Sequence, residues 1–268
     1  MKNILTTILQ RKREEIAQRK ISTPLEILQT NPHYYRNVFS LRTQLTQNPL
    51  GVIAEFKKKS PSKGVLHESA DIKDTVKGYQ QYGAAAISCL TDMEFFGGSD
   101  EDFIQARAIL NIPLLRKDFI IDNYQLHESK ALGADVILLI AAALEPIYLK
   151  ELAHEAKTLG LEVLLEVHDE EELEKNLNQY IDVVGVNNRN LKTFEVDLQT
   201  SYRLARQIPL RYAKISESGI SSPFTVLELK KHGFDGFLIG ENFMKTSYPT
   251  QTFKNFMQEL QQLLSSNQ

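Results

Sequence analysis

Residues 51–64 read GVIAEFKKKSPSKG, and the fold turns on how this stretch is understood. Val52, Ile53 and Ala54 form an apolar run of the length expected for a strand buried on both faces. Glu55 and Lys57 then break the run, one residue apart. Strand side chains alternate between faces, so Glu55 and Lys57 point the same way as Ile53, and Phe56 points the opposite way. An opposite-charge pair on an inner face costs desolvation and adds little stability. The segment SPSKG that follows is a turn, punctuated by Pro61 and Gly64. Alone, this stretch leaves open a second reading, with Lys57, Lys58 and Lys59 as a solvated charge run after an edge strand. The rest of the chain decides between the two, because the same arrangement recurs.

Outward from this strand, apolar runs alternate with helical segments. Asp71 caps a helix to Tyr82 with Gly83 at its stop, and a second strand covers Ala85 to Leu90. After the loop TDMEFFGGS, Ser99 caps a helix to Leu110. The third strand, IPLLRK, leads to a helix from Asn123 to Leu132, and the fourth, DVILLI, to one from Glu145 to Leu159. EVLLEV is the fifth strand, with a helix opening at Asp169, and VVGVNN is the sixth, with Asp197 opening its helix. YAKISE is the seventh, followed by a helix begun by Ser222 and Pro223. GFLIG is the eighth, followed by one helical turn near Asn242 and a last helix from Gln251 to Leu264. Caps, first-position prolines and terminal glycines set these boundaries. Upstream, residues 2–19 form a helix with Ile4, Ile8 and Ile16 as a partial stripe, and Thr23 with Pro24 signals a second helix start.

Eight strands separated by helices predict a parallel sheet with right-handed crossovers, closed as a (β/α)8 TIM barrel of the α/β class. A doubly wound open sheet has the same periodicity. No interior linker or low-complexity tract interrupts the 268 residues. A single domain over 1–268 is expected, with 1–48 as an N-terminal helical extension and 49–268 as the barrel.

Hydrophobic residues make up 42% of the chain, enough for a sizeable core, and the net charge of −3 gives no general attraction to nucleic acid or anionic membrane. The single cysteine, Cys89, excludes an internal disulfide framework and suits a reducing, cytoplasmic compartment. None of the six histidines has metal-site spacing. The longest apolar run, Val136 to Leu144, is too short to cross a bilayer, and Glu14 and Glu15 make the N-terminal segment a surface helix rather than a targeting peptide. Oligomeric state is not decided by sequence; a monomer is the expectation.

The discriminating feature is where polar residues fall. Barrel sites are built at strand carboxyl ends, and those ends carry Glu55 with Lys57, Lys117, Glu166, Asn187, Glu217 with Ser218, and Gly240. Alternation pairs Lys117 with Leu115, Glu166 with Leu164 and Asn187 with Gly185 on the inner face. Any one of these alone reads as a loop charge. Lysines and carboxylates converging from several strands form a constellation for proton transfer, each charge setting its neighbour's pKa. At the seventh and eighth strands, ESGI and LIGEN place Gly219 and Gly240 where backbone N–H groups can approach a ligand, the frequent phosphate site of this fold. Glu241 is awkward beside a dianion, so its side chain is expected to turn away while its N–H donates.

The segments IAEFKKKSPSKG, LTDMEFFGGS, LRKDFI, LLEVH, GVNNRNLKTFEVD, SESGI and GFLIGENFM together closely resemble the indole-3-glycerol-phosphate synthase family of tryptophan biosynthesis, in that family's order and over nearly the whole chain. Small departures lie beside the functional positions, at Phe56, Lys58, Asn242, Phe243 and Lys245. No second barrel is appended, so one activity is implied. The resemblance implies closure of the indole ring of 1-(2-carboxyphenylamino)-1-deoxyribulose 5-phosphate with loss of carbon dioxide and water, without metal or organic cofactor. It carries the two proton-source roles onto Lys117 and Lys57, with Lys117 chosen as the acid at ring closure. Glu55 would keep Lys57 charged, Glu166 would act in dehydration, and Asn187, Glu217 and Ser218 would hold substrate hydroxyls and amine. Arg189, with Ser60, would take the anthranilate carboxylate, and the loop bearing Phe96 would supply an aromatic face and a lid.

Three alternatives compete. A phosphosugar isomerase of this fold would want a lone aspartate or cysteine at the first strand. A Schiff-base aldolase would want a lysine at the sixth, where Asn187 and Asn188 stand. A non-enzymatic phosphometabolite-binding barrel would keep Gly219 and Gly240 but would not need Lys117 and Glu166.

Overall fold

The computed structural model describes residues 4–266; position 2 and position 3 of the expected first helix lie outside them. The helices are α1 (Ile4–Ser22), α2 (Leu25–Leu28), α3 (Leu41–Gln47), α4 (Ile72–Gln81), α5 (Met93–Phe96), α6 (Asp100–Arg107), α7 (Asn123–Leu132), α8 (Pro146–Thr158), α9 (Glu170–Asn176), α10 (Gln199–Leu204), α11 (Pro223–Lys231), α12 (Glu241–Met244) and α13 (Pro249–Ser266). The strands are β1 (Val52–Phe56), β2 (Lys59–Ser60), β3 (Gly64–Val65), β4 (Ala86–Leu90), β5 (Leu114–Lys117), β6 (Val136–Ile140), β7 (Glu162–Val167), β8 (Val183–Asn187), β9 (Ala213–Glu217) and β10 (Gly236–Ile239). β1 and β4 to β10 pair in parallel and close on themselves as β1-β10-β9-β8-β7-β6-β5-β4, which rules out the open sheet. β2 and β3 make a small antiparallel hairpin after β1.

Alternation sorts the strand residues into two cores. Ile53, Ala86, Leu115, Leu138, Leu164, Ile215 and Leu238 fill the barrel interior. Val52, Ala54, Phe56, Ile87, Cys89, Ile137 and Val163 pack outward against the helices. Each fully buried Leu or Ile contributes about 1.5–3 kcal/mol relative to exposure. The floor of the barrel is closed by Leu41 and Leu45, one turn apart on α3, which join the interior cluster.

The helix starts follow the cap chemistry: Asp71 accepts from the Asp74 N–H at 2.8 Å, Ser99 from the Asp102 N–H at 3.0 Å, and Asp169 from the Glu172 N–H at 2.8 Å. Thr23 departs from expectation. Its N–H donates to the Arg19 carbonyl at 2.8 Å and so closes α1, while Pro24 takes the cap position of α2 without any side-chain cap. The helix begun by Ser99 ends at Arg107, short of Leu110. On α1 the buried face is Leu5, Ile8, Lys12 and Ile16, a stripe with a lysine in it. Among the described residues no helix is long and apolar enough to cross a membrane.

Candidate active site

The triple lysine of the opening stretch divides by direction, as alternation requires. Lys57 turns inward onto Glu55 Oε1. Lys58 turns outward and pairs with Asp102 of α6 at 2.7 Å. Lys59, in the hairpin, donates to the Glu94 carbonyl. The solvated charge run is therefore not what the chain forms.

At the carboxyl ends of the strands a cavity of about 510 Å³ opens, and every residue given a site role above lines it. Lys117, at the end of β5, lies 2.9 Å from Glu166 Oε2 on β7 and 2.6 Å from Glu217 Oε2 on β9. Asn187 Nδ2 donates to Glu166 Oε1 at 3.0 Å, and Ser218 Oγ donates to Asn187 Oδ1 at 2.9 Å. Four strands thus hold one connected polar cluster. Gly185 makes room for it, because a Cβ there would meet the Glu217 carboxylate.

Burial opposes charge on Lys117, but Glu166, Glu217 and Glu55 outweigh it and raise its pKa well above the usual lysine range. The two carboxylates share that one ammonium unequally. Burial pushes Glu217 up to about 7, reinforced by Glu166 against the opposing pull of Lys117. Glu166 moves the other way; burial would raise it, but Lys117, His168 and the Asn187 amide hold it ionised. The proton near neutrality belongs to the pair. Glu217 Oε1 is buried without a hydrogen-bond partner, an acceptor left for something else in the cavity.

The glycines of the rim make room for protein atoms. A Cβ on Gly240 would fall 2.6 Å from Glu55 Oε1, so the missing side chain leaves space for that carboxylate. Gly219 has φ +78°, and a Cβ there would strike Val196. Ser218 before it is also left-handed, with φ 67°, a conformation costing about 1–3 kcal/mol in a non-glycine residue. Asn188 pins this turn: its Nδ2 donates to the Glu217 carbonyl at 3.0 Å and the Ser218 carbonyl at 3.1 Å. Glu241 is neutralised at the rim by Arg189 at 3.3 Å, and Arg189 also donates to the Phe194 carbonyl.

Several contributors had no site role in the sequence reading. Ile4, Leu5 and Ile8 of α1 line the cavity, as do Phe119, Leu138 and Ile140. Phe119 sets its ring 6.0 Å from that of Phe96. His168 stands behind Glu166, with Nε2 at 3.5 Å from Glu166 Oε1. Its only sequence signal was its place in LLEVH, one residue past the strand end. Among the described residues no group of three His, Cys, Asp or Glu side chains is arranged to hold a metal ion.

A family model described as indole-3-glycerol phosphate synthase matches residues 5–256. A protein of that name from Bacteroides thetaiotaomicron is 48% identical over 261 residues, covering 97% of this chain and 100% of the relative. One from Salinibacter ruber is 45% identical over 259 residues, covering 96% of each. Among solved structures, the tryptophan synthase A-subunit of Pyrococcus furiosus superposes with a TM-score of 0.60 at 17% identity, over 80% of this chain and 99% of that one. At that identity the likeness concerns the fold alone.

Proposed function

The chain belongs to the indole-3-glycerol phosphate synthase family, and we propose that the cluster around Lys117 closes the indole ring of 1-(2-carboxyphenylamino)-1-deoxyribulose 5-phosphate, with loss of carbon dioxide and water. The enzyme is a carboxy-lyase of tryptophan biosynthesis. The observation that carries the assignment of roles is the Lys117 ammonium between Glu166 and Glu217 in the lining of the cavity.

Ring closure puts negative charge on the ketone oxygen as the aromatic carbon attacks. Lys117 is held charged by its carboxylate neighbours, so it polarises the ketone and yields its proton only to the strongly basic alkoxide that attack creates. Loss of carbon dioxide restores the aromatic ring. Departure of the hydroxyl as water needs a second proton source, and Lys57, paired with Glu55, supplies it. Glu166 exchanges the proton lost from substrate in that step. Asn187, Ser218 and the free oxygen of Glu217 hold hydroxyls and amine. Phe96 and Phe119 flank the aromatic ring, Ser60 and Arg189 take its carboxylate, and Arg189 leaves Glu241 to do so. The phosphate rests on the backbone at Gly219, Gly240 and Glu241.

The chain is one domain with 1–48 as its helical extension, supported by α1 lining the cavity at the strand carboxyl ends and α3 closing the opposite end of the barrel. The enzyme is cytoplasmic, consistent with the free thiol of Cys89, and monomeric, which sedimentation checks. The direct test is incubation with the carboxyphenylamino-deoxyribulose phosphate while following indoleglycerol phosphate fluorescence. Product formation without added cofactor is expected, and a protein that binds the substrate without turning it over would favour the binding-barrel alternative.

A further inference from the structure

Glu166 is gripped on three sides. Lys117 holds Oε2, and Asn187 donates to Oε1. The third side is His168, whose Nε2 lies 3.5 Å from Glu166 Oε1, in ion-pair range but longer than a hydrogen bond. That Nε2 is buried and has no hydrogen-bond partner. The other end of the ring is fixed by Glu172 on α9. Its Oε2 accepts the His168 backbone N–H at 2.8 Å and faces Nδ1 at 3.1 Å. A carboxylate accepting from Nδ1 sets the tautomer, so a neutral imidazole would aim its Nε2 lone pair at the Glu166 carboxylate. Only the imidazolium presents an N–H there. The charged groups facing the ring are Glu166 from β7, Glu172 from α9 and Glu217 from β9, with Lys117 of β5 on the far side of Glu166.

We propose that His168 is a positioning residue for Glu166: clamped by Glu172, it presents a cationic N–H that orients the Glu166 carboxylate and keeps it ionised. This rests on the reading of Glu166 as the group that exchanges protons with substrate. It makes Glu172, outside the cavity lining, the anchor of a Glu172–His168–Glu166 relay of contacts. The sign follows from the charges. Removing a cation beside Glu166 raises the pKa of the carboxylate pair. The acid limb of the pH profile, which reports the free enzyme in kcat/KM, therefore moves to higher pH.

Two variants separate charge from shape. His168→Asn keeps a donor at the Nδ1 position toward Glu172 but does not reach Glu166. His168→Gln places a neutral donor near the Nε2 position. The expected result for His168→Asn is an acid limb moved up by about one unit and kcat lowered about three- to tenfold near neutrality, with KM within about twofold. His168→Gln should recover most of kcat while its limb stays displaced. Thermal unfolding of each confirms the fold, and Glu166→Gln is run alongside. If Glu166→Gln is inactive while both folded His168 variants keep the wild-type limb, the His168 assignment falls and the reading of Glu166 stands. If Glu166→Gln is fully active, both fall.

Discussion

Arg116, Lys117 and Asp118 are consecutive and charged, the first and last buried and Lys117 half-buried, and alternation along β5 sends them into two different environments. Arg116 and Asp118 face outward into a network of ion pairs that spans α1, β5 and α7. Arg116 pairs with Glu128 at 2.7 Å and Asp118 at 3.2 Å, and its guanidinium also donates to Ser129 and Thr91. Asp118 accepts from Thr91 and from the Phe119 N–H. It also meets Lys12, a lysine of α1 only 2% exposed that sits among Asp118, Asp92 and Glu15. Burial works against these charges, but partners keep Arg116 protonated and Asp118 ionised far from their usual ranges. Lys117 faces inward, where three carboxylates confront two lysines, one carboxylate oxygen has no partner, and Glu217 is pushed toward neutrality. The outer network ties α1 to the barrel. The inner cluster lines a cavity, so the unpartnered oxygen of Glu217 is an acceptor that a ligand can reach.

This contrast breaks most visibly at Arg116. Arg116→Met takes a buried cation from Glu128 and Asp118, which keep only Arg19 and Lys12, and should cost about 3 kcal/mol of stability. It should leave kcat per folded molecule within about threefold. A denaturation midpoint near wild type would mean that the outer network is not structural.

Glu217→Gln should do the opposite. The folded pKa of Glu217 is raised to about 7 against 4.5 for the ordinary group. Its contribution to stability is therefore present at low pH and lost as pH rises through that interval. The amide removes that loss, so the variant gains on the order of 1–2 kcal/mol over wild type at pH 8 while losing activity, and the gain shrinks toward pH 5. Melting curves across pH 5–8 decide it; a variant less stable at pH 8 would show that the pairing with Lys117 outweighs burial.

Gly240→Val sharpens the account at the rim. The added carbons press on Glu55 and should raise KM at least about tenfold, roughly 1.4 kcal/mol, with some loss of kcat through Lys57. An unchanged KM in a folded variant would remove phosphate from that rim. The smallest expected effect is none: exhaustive EDTA treatment should leave turnover intact, and activity lost and restored by one divalent metal would overturn the acid–base reading.

How much of this was legible in the sequence follows the range of the forces involved. Strand limits, caps and the inward set Glu55, Lys117, Glu166, Asn187 and Glu217 were readable, because period-2 alternation and first-turn capping are local. Helix α3 had local signals too, a Ser40 cap and the Leu41–Leu45 pair, but its seven residues are few for periodicity to register. The burial of Lys12 was not readable. In QRKREE it looks like any solvated lysine, and its partners Asp92 and Asp118 lie far along the chain. The roles of Leu5 and His168 were hidden for the same reason. Arg116 and Asp118 read as ordinary charges flanking Lys117, because sequence alternation tells which way a residue points but not what covers it.

The central claim is that Lys117 supplies the charge for ring closure rather than for folding. Lys117→Met keeps the apolar length of the side chain and removes the ammonium. Substrate binding measured by titration, together with a single-turnover rate on the same preparation, tests the claim most directly. The account predicts a rate lowered at least about 10³-fold with affinity changed far less, since phosphate and carboxylate contacts remain. A folded Lys117→Met enzyme retaining more than about a tenth of the wild-type rate would contradict it and pass the role to Lys57.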